Sequence, residues 1–231
     1  MPGPVLWSDL GRRPYVDVWR LQRALVEPLK RGEGPDRLLL VEHEPVVTLG
    51  RSAEEEHVLV GRAGLTERGI ELHRVERGGD VTYHGPGQLV GYPILDLRRH
   101  RKDVRWYSES LTEVMVRALA RLGVVATARG GRDTGVWLAD TRSREKIGML
   151  GVRVERWVAY HGFALNISAD LTPFDLIVPC GLPGVTTTSA EAALGRDVPM
   201  SEARQAVVAA FADVFGVVLQ RADSSQLEAV A

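Results

Sequence analysis

Lys146-Ile147-Gly148-Met149-Leu150-Gly151-Val152-Arg153-Val154-Glu155-Arg156-Trp157-Val158-Ala159-Tyr160-His161-Gly162-Phe163-Ala164-Leu165-Asn166-Ile167 is the stretch that decides the fold class. Ile147 to Val154 and Val158 to Ile167 are apolar or β-branched runs, and the polar pair Glu155 and Arg156 reads as a turn between them. No helix fits in that gap. The two runs therefore form a hairpin rather than a strand-helix-strand crossover.

Outward from this hairpin, Leu38 to Val41, Val46 to Leu49, Glu71 to Val75, Leu89 to Leu95, Val124 to Ala128 and Val136 to Leu138 read as further short strands. Three helices accompany them. The first starts at Pro14, carries Tyr15, Val18, Trp19, Leu21 and Leu25, meets a kink at Pro28 and stops near Gly32. The second runs from about Val104 to Leu122, where Leu111, Val114, Met115, Ala118 and Leu119 recur at helical spacing before Gly123 ends it. The third follows Ser201, presents Val207, Val208, Phe211, Val214 and Phe215, and closes at Gly216. Strands outnumber helices and follow one another directly, which makes the class α+β. Loops are short throughout, so residues 1–220 read as one domain, and Arg221 to Ala231, with Ser224 and Ser225, as a frayed tail.

With 231 residues, 45% hydrophobic and 26% charged, the chain is suited to burying a sizeable core, and 29 basic against 30 acidic side chains argue against disorder or a nucleic-acid arm. No apolar run approaches the ~20 residues of a membrane span. The start of the chain lacks the apolar core of a signal peptide, and one cysteine rules out an intramolecular disulfide or a multi-cysteine metal site. A cytoplasmic protein without a metal is the expectation.

That cysteine, Cys180, lies in Ile177-Val178-Pro179-Cys180-Gly181-Leu182-Pro183-Gly184, where prolines and glycines fix a turn and permit close backbone approach. A lone cysteine is most often a small buried hydrophobe; this one sits in a loop. To act as a nucleophile it needs a cation, a base or a helix N-terminus nearby. His43, His84, His161 and Lys146 are the candidates, although each histidine also reads as a hydrogen-bonded structural residue. Lys146 stands out because only three of the 29 basic side chains are lysines, and because lysine, unlike arginine, can lose and regain a proton. It opens a strand with two glycines, unfavourable unless a ligand or another backbone comes close.

Arg77-Gly78-Gly79-Asp80-Val81-Thr82-Tyr83-His84-Gly85-Pro86-Gly87-Gln88 reads as a ligand-cradling loop, four glycines in twelve residues around a stretch able to form a strand. It lacks the lysine-hydroxyl pair and following helix of a phosphate loop.

Together these segments resemble the lipoyl(octanoyl) transferases, the octanoyl-[acyl carrier protein]:protein N-octanoyltransferases. The match rests on Arg77 to Gln88, on Lys146-Ile147 followed by Gly151, on His161 to Asn166 and on Pro179-Cys180-Gly181, in family order, and spans about Leu6 to Phe215. The resemblance implies a fold related to biotin and lipoate protein ligases, a mixed and largely antiparallel sheet flanked by helices. It also implies a catalytic pair, Cys180 and Lys146. An acyl pocket is implied from Arg77, Gly78, Gly79, Asp80, Val81, Thr82, Tyr83 and His84, from Met149, Leu150 and Gly151, and from Gly162, Phe163 and Ala164. Gly148 and Met149 replace alanines common in the family, which would alter the pocket floor.

The implied donor is octanoyl-acyl carrier protein. The implied acceptors are apo lipoyl domains of 2-oxoacid dehydrogenase E2 subunits and the glycine cleavage H protein, and no cofactor, nucleic acid or membrane is implied. Arg98, Arg99, Arg101, Lys102 and Arg105, around His100, form a basic run suited to docking an acidic carrier protein. The alternatives are an ATP-dependent lipoate or biotin protein ligase, a cysteine hydrolase, and a non-catalytic acyl-binding module.

Overall fold

The computed structural model describes residues 3–139, 144–182 and 184–222. Its strands are β1 (Val5–Arg13), β2 (Arg37–His43), β3 (Val46–Leu49), β4 (Glu71–Arg74), β5 (Val81–His84), β6 (Gln88–Asp96), β7 (Ala126–Arg129), β8 (Gly135–Leu138), β9 (Glu145–Glu155), β10 (Val158–Asn166), β11 (Thr186–Thr187) and β12 (Leu219–Arg221). The helices are α1 (Tyr15–Lys30), α2 (Gly61–Thr66), α3 (Val104–Leu122), α4 (Ala190–Leu194) and α5 (Met200–Phe215). Eight strands lie in the order β12-β1-β2-β6-β10-β9-β8-β7 with β11 beside β9, and β4-β3-β5 form a second sheet. β1 is parallel to β12 and β2, and β11 to β9; the other pairs of the large sheet are antiparallel. The α+β class and the mixed, largely antiparallel sheet are therefore observed.

β9 and β10 pair continuously from Glu155 with Val158 to Gly148 with Leu165. The turn is Arg156-Trp157, one residue later than the expected Glu155-Arg156. Both turn residues have positive φ, 49° and 68°, as a two-residue turn needs if its twist is to match the strands. α3 begins where Asp103 Oδ1 accepts the Trp106 amide at 3.0 Å and ends at the left-handed Gly123.

Alternation along β2 shows how the layers are filled. Leu38 and Leu40 pack with Leu111, Met115 and Leu119 of α3 and Phe211 of α5, whereas Leu39 and Val41 pack with Val18, Leu25 and Leu29 of α1 and with the small sheet. Each fully buried leucine contributes about 2 kcal/mol on area grounds. Both faces of the large sheet are thus covered, but by different layers.

β1 was not anticipated, because Asp9, Gly11, Arg12 and Arg13 break its apolar pattern. The strand shifts register between Asp9 and Arg12 and is held between two parallel neighbours distant in sequence. Arg221, expected to open the tail, instead ends β12, and the Ala222 amide donates to Trp7 O at 2.8 Å. The remainder of that expected tail, 223–231, lies outside the described residues.

Candidate active site

Cys180 and Lys146 come together. Lys146 is 1% exposed, and its Nζ donates to Cys180 Sγ at 3.3 Å and to Thr134 O at 2.8 Å. Its Nζ also stands 5.2 Å from the centre of the Trp137 ring. A Cβ on Gly135 would fall 2.6 Å from Lys146 Cε, so this position has to be glycine for the lysine to reach the sulfur. Beside it, Thr187 pairs with Lys146 and the Thr188 amide donates to Lys146 O. The lysine is fixed by backbone from two directions.

Cys180 occupies the left-handed region at φ 56°, ψ 20°, and Gly181 follows at φ 64°. For a non-glycine residue that conformation is uphill by about 1 to 2 kcal/mol. The preceding residues are strapped to a neighbouring segment: Val58 bridges Ile177, the Val178 amide donates to His57 O at 2.8 Å, and the Leu59 amide donates to Leu176 O at 2.9 Å.

The sulfur borders a cavity of about 690 Å³ between the large sheet and the glycine loop. Every residue expected in the acyl pocket lines it except Tyr83, which packs edge-on against Phe174 with ring centres 5.6 Å apart. Met149, Val90 and Ala164 supply apolar wall, and Tyr15, Tyr92, His84 and His161 also line the cavity. Gly151 and Gly162 are required by protein contacts: an added Cβ would lie 3.0 Å from Arg77 Cδ in one case and 2.1 Å from Gly91 O in the other. Gly148 does not line the cavity; a Cβ there would meet Met115, Leu165 and Val136. Of the two departures from the family pattern, only Met149 lines the cavity.

Arg77 is buried, donating through Nη2 to Thr48 O at 2.7 Å and to Thr48 Oγ1 at 2.8 Å, and through Nη1 to Gly78 O at 3.1 Å. Its guanidinium fastens the glycine loop to β3. Burial pulls its pKa down, opposed by the nearby Tyr15 and Cys180. The Gly78 amide donates to Val152 O at 2.8 Å and the Gly181 amide to Val178 O at 2.9 Å, so neither is free to hold an oxyanion here.

None of His43, His84 and His161 is bonded to the sulfur, and the first two are held by side-chain hydrogen bonds. His43 bonds through Nε2 to Tyr92 Oη at 2.8 Å and through Nδ1 to Arg13 O at 3.1 Å, and burial holds its pKa down at about 4. His84 Nδ1 lies 2.6 Å from Gln88 Oε1, and burial followed by the neighbouring His43 lowers it to about 3. His161 is also lowered by burial, and its Nε2 sits 3.9 Å from Glu76 Oε1. Among the candidate partners for Cys180, the geometry selects Lys146.

The basic run is mostly turned to other work. Arg98 pairs with Asp96 at 2.7 Å and donates to Leu29 O, Arg99 donates to Gly32 O and Gly34 O, and His100 pairs with Asp36 at 2.8 Å. These groups fasten the connection between α1 and β2. Arg101, Lys102 and Arg105 remain exposed, and Arg105 joins Arg132 at the cavity rim. Arg132, Thr134 and His57 were not legible as site residues: Arg132 and Thr134 lie in a polar loop, and His57 follows the acidic run Glu54 to Glu56.

The sequence pattern of the lipoyl protein ligase A/B catalytic domain matches residues 14–212. An octanoyltransferase from Gloeobacter violaceus is 46% identical over 216 residues, covering 93% of this chain and 92% of the relative. One from Rubrobacter xylanophilus is 45% identical over 208 residues, covering 89% and 91%. Among solved structures, a bi-partite lipoate protein ligase from Thermoplasma acidophilum superposes with a TM-score of 0.75 at 18% identity, covering 99% of this chain and 90% of that one. A lipoate-protein ligase A bound with ATP gives 0.73, also at 18%, over 100% and 92%. At that identity the structural likeness speaks to the fold.

Proposed function

This chain belongs to the lipoyl protein ligase A/B catalytic domain family, and from that membership we propose that it is an octanoyltransferase working through a Cys180 acyl-enzyme. The supporting observation is the 3.3 Å contact between Lys146 Nζ and Cys180 Sγ at the edge of a largely apolar cavity. The high identity to octanoyltransferases at nearly full coverage supports the acyl group.

The donor is octanoyl-acyl carrier protein. Lys146 takes the Cys180 proton, and the thiolate attacks the thioester carbonyl. A carbon–sulfur bond to Cys180 forms as the bond to the pantetheine sulfur breaks, and the Lys146 ammonium returns the proton to the departing thiolate. In the second half the ε-amine of a lipoyl-domain lysine attacks the acyl-enzyme. Neutral Lys146 accepts a proton from that amine, the octanoyl amide forms and the Cys180 sulfur leaves. A thioester is already activated, so the route calls for neither ATP nor a metal. Burying the chain's methylenes at ~0.8 kcal/mol each provides roughly 5 kcal/mol for holding the acyl group. Arg105 and Arg132 at the rim are the cations best placed to meet an acidic carrier protein.

Acceptors are apo lipoyl domains, those of 2-oxoacid dehydrogenase E2 subunits and the glycine cleavage H protein being the ones proposed. The proposed compartment is the cytoplasm; among the described residues no helix is long and apolar enough to cross a membrane.

Intact-protein mass spectrometry after mixing with octanoyl-acyl carrier protein, without ATP, tests this. One hydroxylamine-sensitive octanoyl mass on the native chain, passed on to a lipoyl domain and absent in Cys180→Ala, is the expected result. Modification of a lipoyl domain only with ATP and free acid would replace it with the ligase reading.

A further inference from the structure

His57 and Asp80 meet at the nucleophile loop, although neither takes part in the transfer steps above. His57 Nδ1 lies 2.9 Å from Asp80 Oδ1, and the same oxygen accepts the Val81 amide at 2.7 Å. Asp80 is thereby held by its own loop, with Oδ2 turned to Gly181. A Cβ on Gly181 would fall 2.4 Å from Asp80 Oδ2 and 3.4 Å from His57 Cε1. The pair fills the space a side chain at 181 would occupy.

His57 is thus joined to the chain on both sides of the cysteine. Its carbonyl accepts the amide of Val178, two residues before Cys180. Its ring, through Asp80, abuts Gly181, one residue after. Asp80 lines the cavity and His57 does not, so the imidazole acts on the site through the carboxylate. Glu54 and Glu56 add acidic surroundings to the ring, while Lys146 and Arg77 are the basic side chains near the sulfur.

We infer that His57 and Asp80 are a positioning pair: they brace the turn from Val178 to Gly181 so that Cys180 keeps its left-handed backbone and its sulfur stays within reach of Lys146. That backbone is uphill for an L-residue and persists only if its surroundings enforce it. The Pro179 to Gly181 turn packs against β5, and the strap and this pair add the polar contacts that flank the cysteine. Without the ring, the Cys180-Gly181 peptide can relax and carry the sulfur away from the amine.

The inference rests on the reading of Cys180 as the acyl carrier, but its test also reads the thiol directly. Cys180 is the only cysteine, so alkylation by iodoacetamide reports its sulfur alone. The rate is followed by intact mass in the native chain, His57→Ala, His57→Asn, Lys146→Met and the His57→Ala, Lys146→Met double variant, alongside kcat and KM for octanoyl transfer.

His57→Ala is expected to slow alkylation roughly tenfold and to lower kcat by a similar factor, with KM for the donor within about twofold of native. The double variant should be no slower than Lys146→Met, because both changes break one interaction. His57→Asn, whose side-chain amide can still donate to Asp80, should recover most of both rates. Alkylation and kcat unchanged in His57→Ala, strictly additive effects, or no rescue by His57→Asn at native-like melting temperature would each overturn the pairing. If His57→Ala does not fold, Asp80→Asn, which keeps the shape and removes the charge, takes its place in the same cycle. A native chain that alkylates in a Lys146-dependent way but never carries octanoyl would sink the acyl-enzyme and leave the positioning pair standing.

Discussion

The two faces of the large sheet are built from the same strands and finished differently. On the face under α3 and α5, side chains fill the places where the strands carry glycine: Met115 packs where Gly148 lacks a side chain, and the Phe163 ring sits over Gly91. On the other face the glycine loop is pinned to β9 by the Gly78 amide and to β3 by Arg77, and beside it lies the cavity, with Cys180 at its edge and buried His84, His161 and Arg77 in its walls. The face under α3 and α5 carries mainly apolar packing; the open face concentrates buried polar groups and a left-handed cysteine. Stability and chemistry are thus assigned to opposite sides of one sheet, and substitutions should separate them.

The largest effect belongs to the open face. Cys180→Ala should cut octanoyl transfer by about 10⁴-fold or more while moving the melting temperature by no more than ~3 °C, since it removes the proposed nucleophile from a partly exposed loop. A large thermal loss would contradict the separation.

Acid comes next. His43 at about 4 and His84 at about 3 lie below the ordinary 6.5 because burial disfavours the imidazolium. The unfolded chain therefore binds more protons than the native one between those values, and stability falls as pH drops from 6.5 towards 4. The expected loss is on the order of 5 kcal/mol from the two groups together, measured by urea unfolding at pH 7 and pH 4. His43→Gln should flatten the dependence; an identical slope would remove His43 from this role.

On the closed face, Phe211→Ala should cost about 4 kcal/mol in the same urea experiment and leave kcat of the folded fraction within about twofold. The smallest effect sharpens the comparison within the cavity. Ala164→Val adds two methyl groups to the apolar wall, and should shift the preference from octanoyl to hexanoyl donors by roughly tenfold in kcat/KM. Unaltered chain selectivity would mean that Ala164 does not set pocket depth.

Much of the closed face could be read from the chain. The helical stripe of α3 and the alternation of the hairpin are local patterns, and they name Leu111, Met115, Leu119 and Leu165 directly. β1 could not be read, since its strand character comes from parallel partners on either side. At the site, Lys146 was legible because a lysine opening a glycine-bearing strand is out of keeping with an arginine-rich chain. Thr134 and His57 were not, because each is defined by a partner it meets only in the fold: the amine of Lys146 for one, the carboxylate of Asp80 for the other. Tyr83 misled for the same reason in reverse: it belongs to the right motif, but the alternation of β5 turns its ring towards Phe174.

The two-residue turn at Arg156-Trp157 also bears on the order in which the molecule is assembled. Closing so short a loop has the smallest entropic penalty of any pairing in the large sheet, and contacts of low sequence separation form early. The hairpin that carries Lys146 and one wall of the cavity is expected to be native-like in the folding transition state. The cysteine reaches it through a much longer loop and docks late. Substitutions in the hairpin, such as Val154→Ala, should slow refolding in stopped-flow experiments, and those around Cys180 should leave refolding unchanged and act on unfolding alone. The nucleophile would then be the last piece added to a pocket already built.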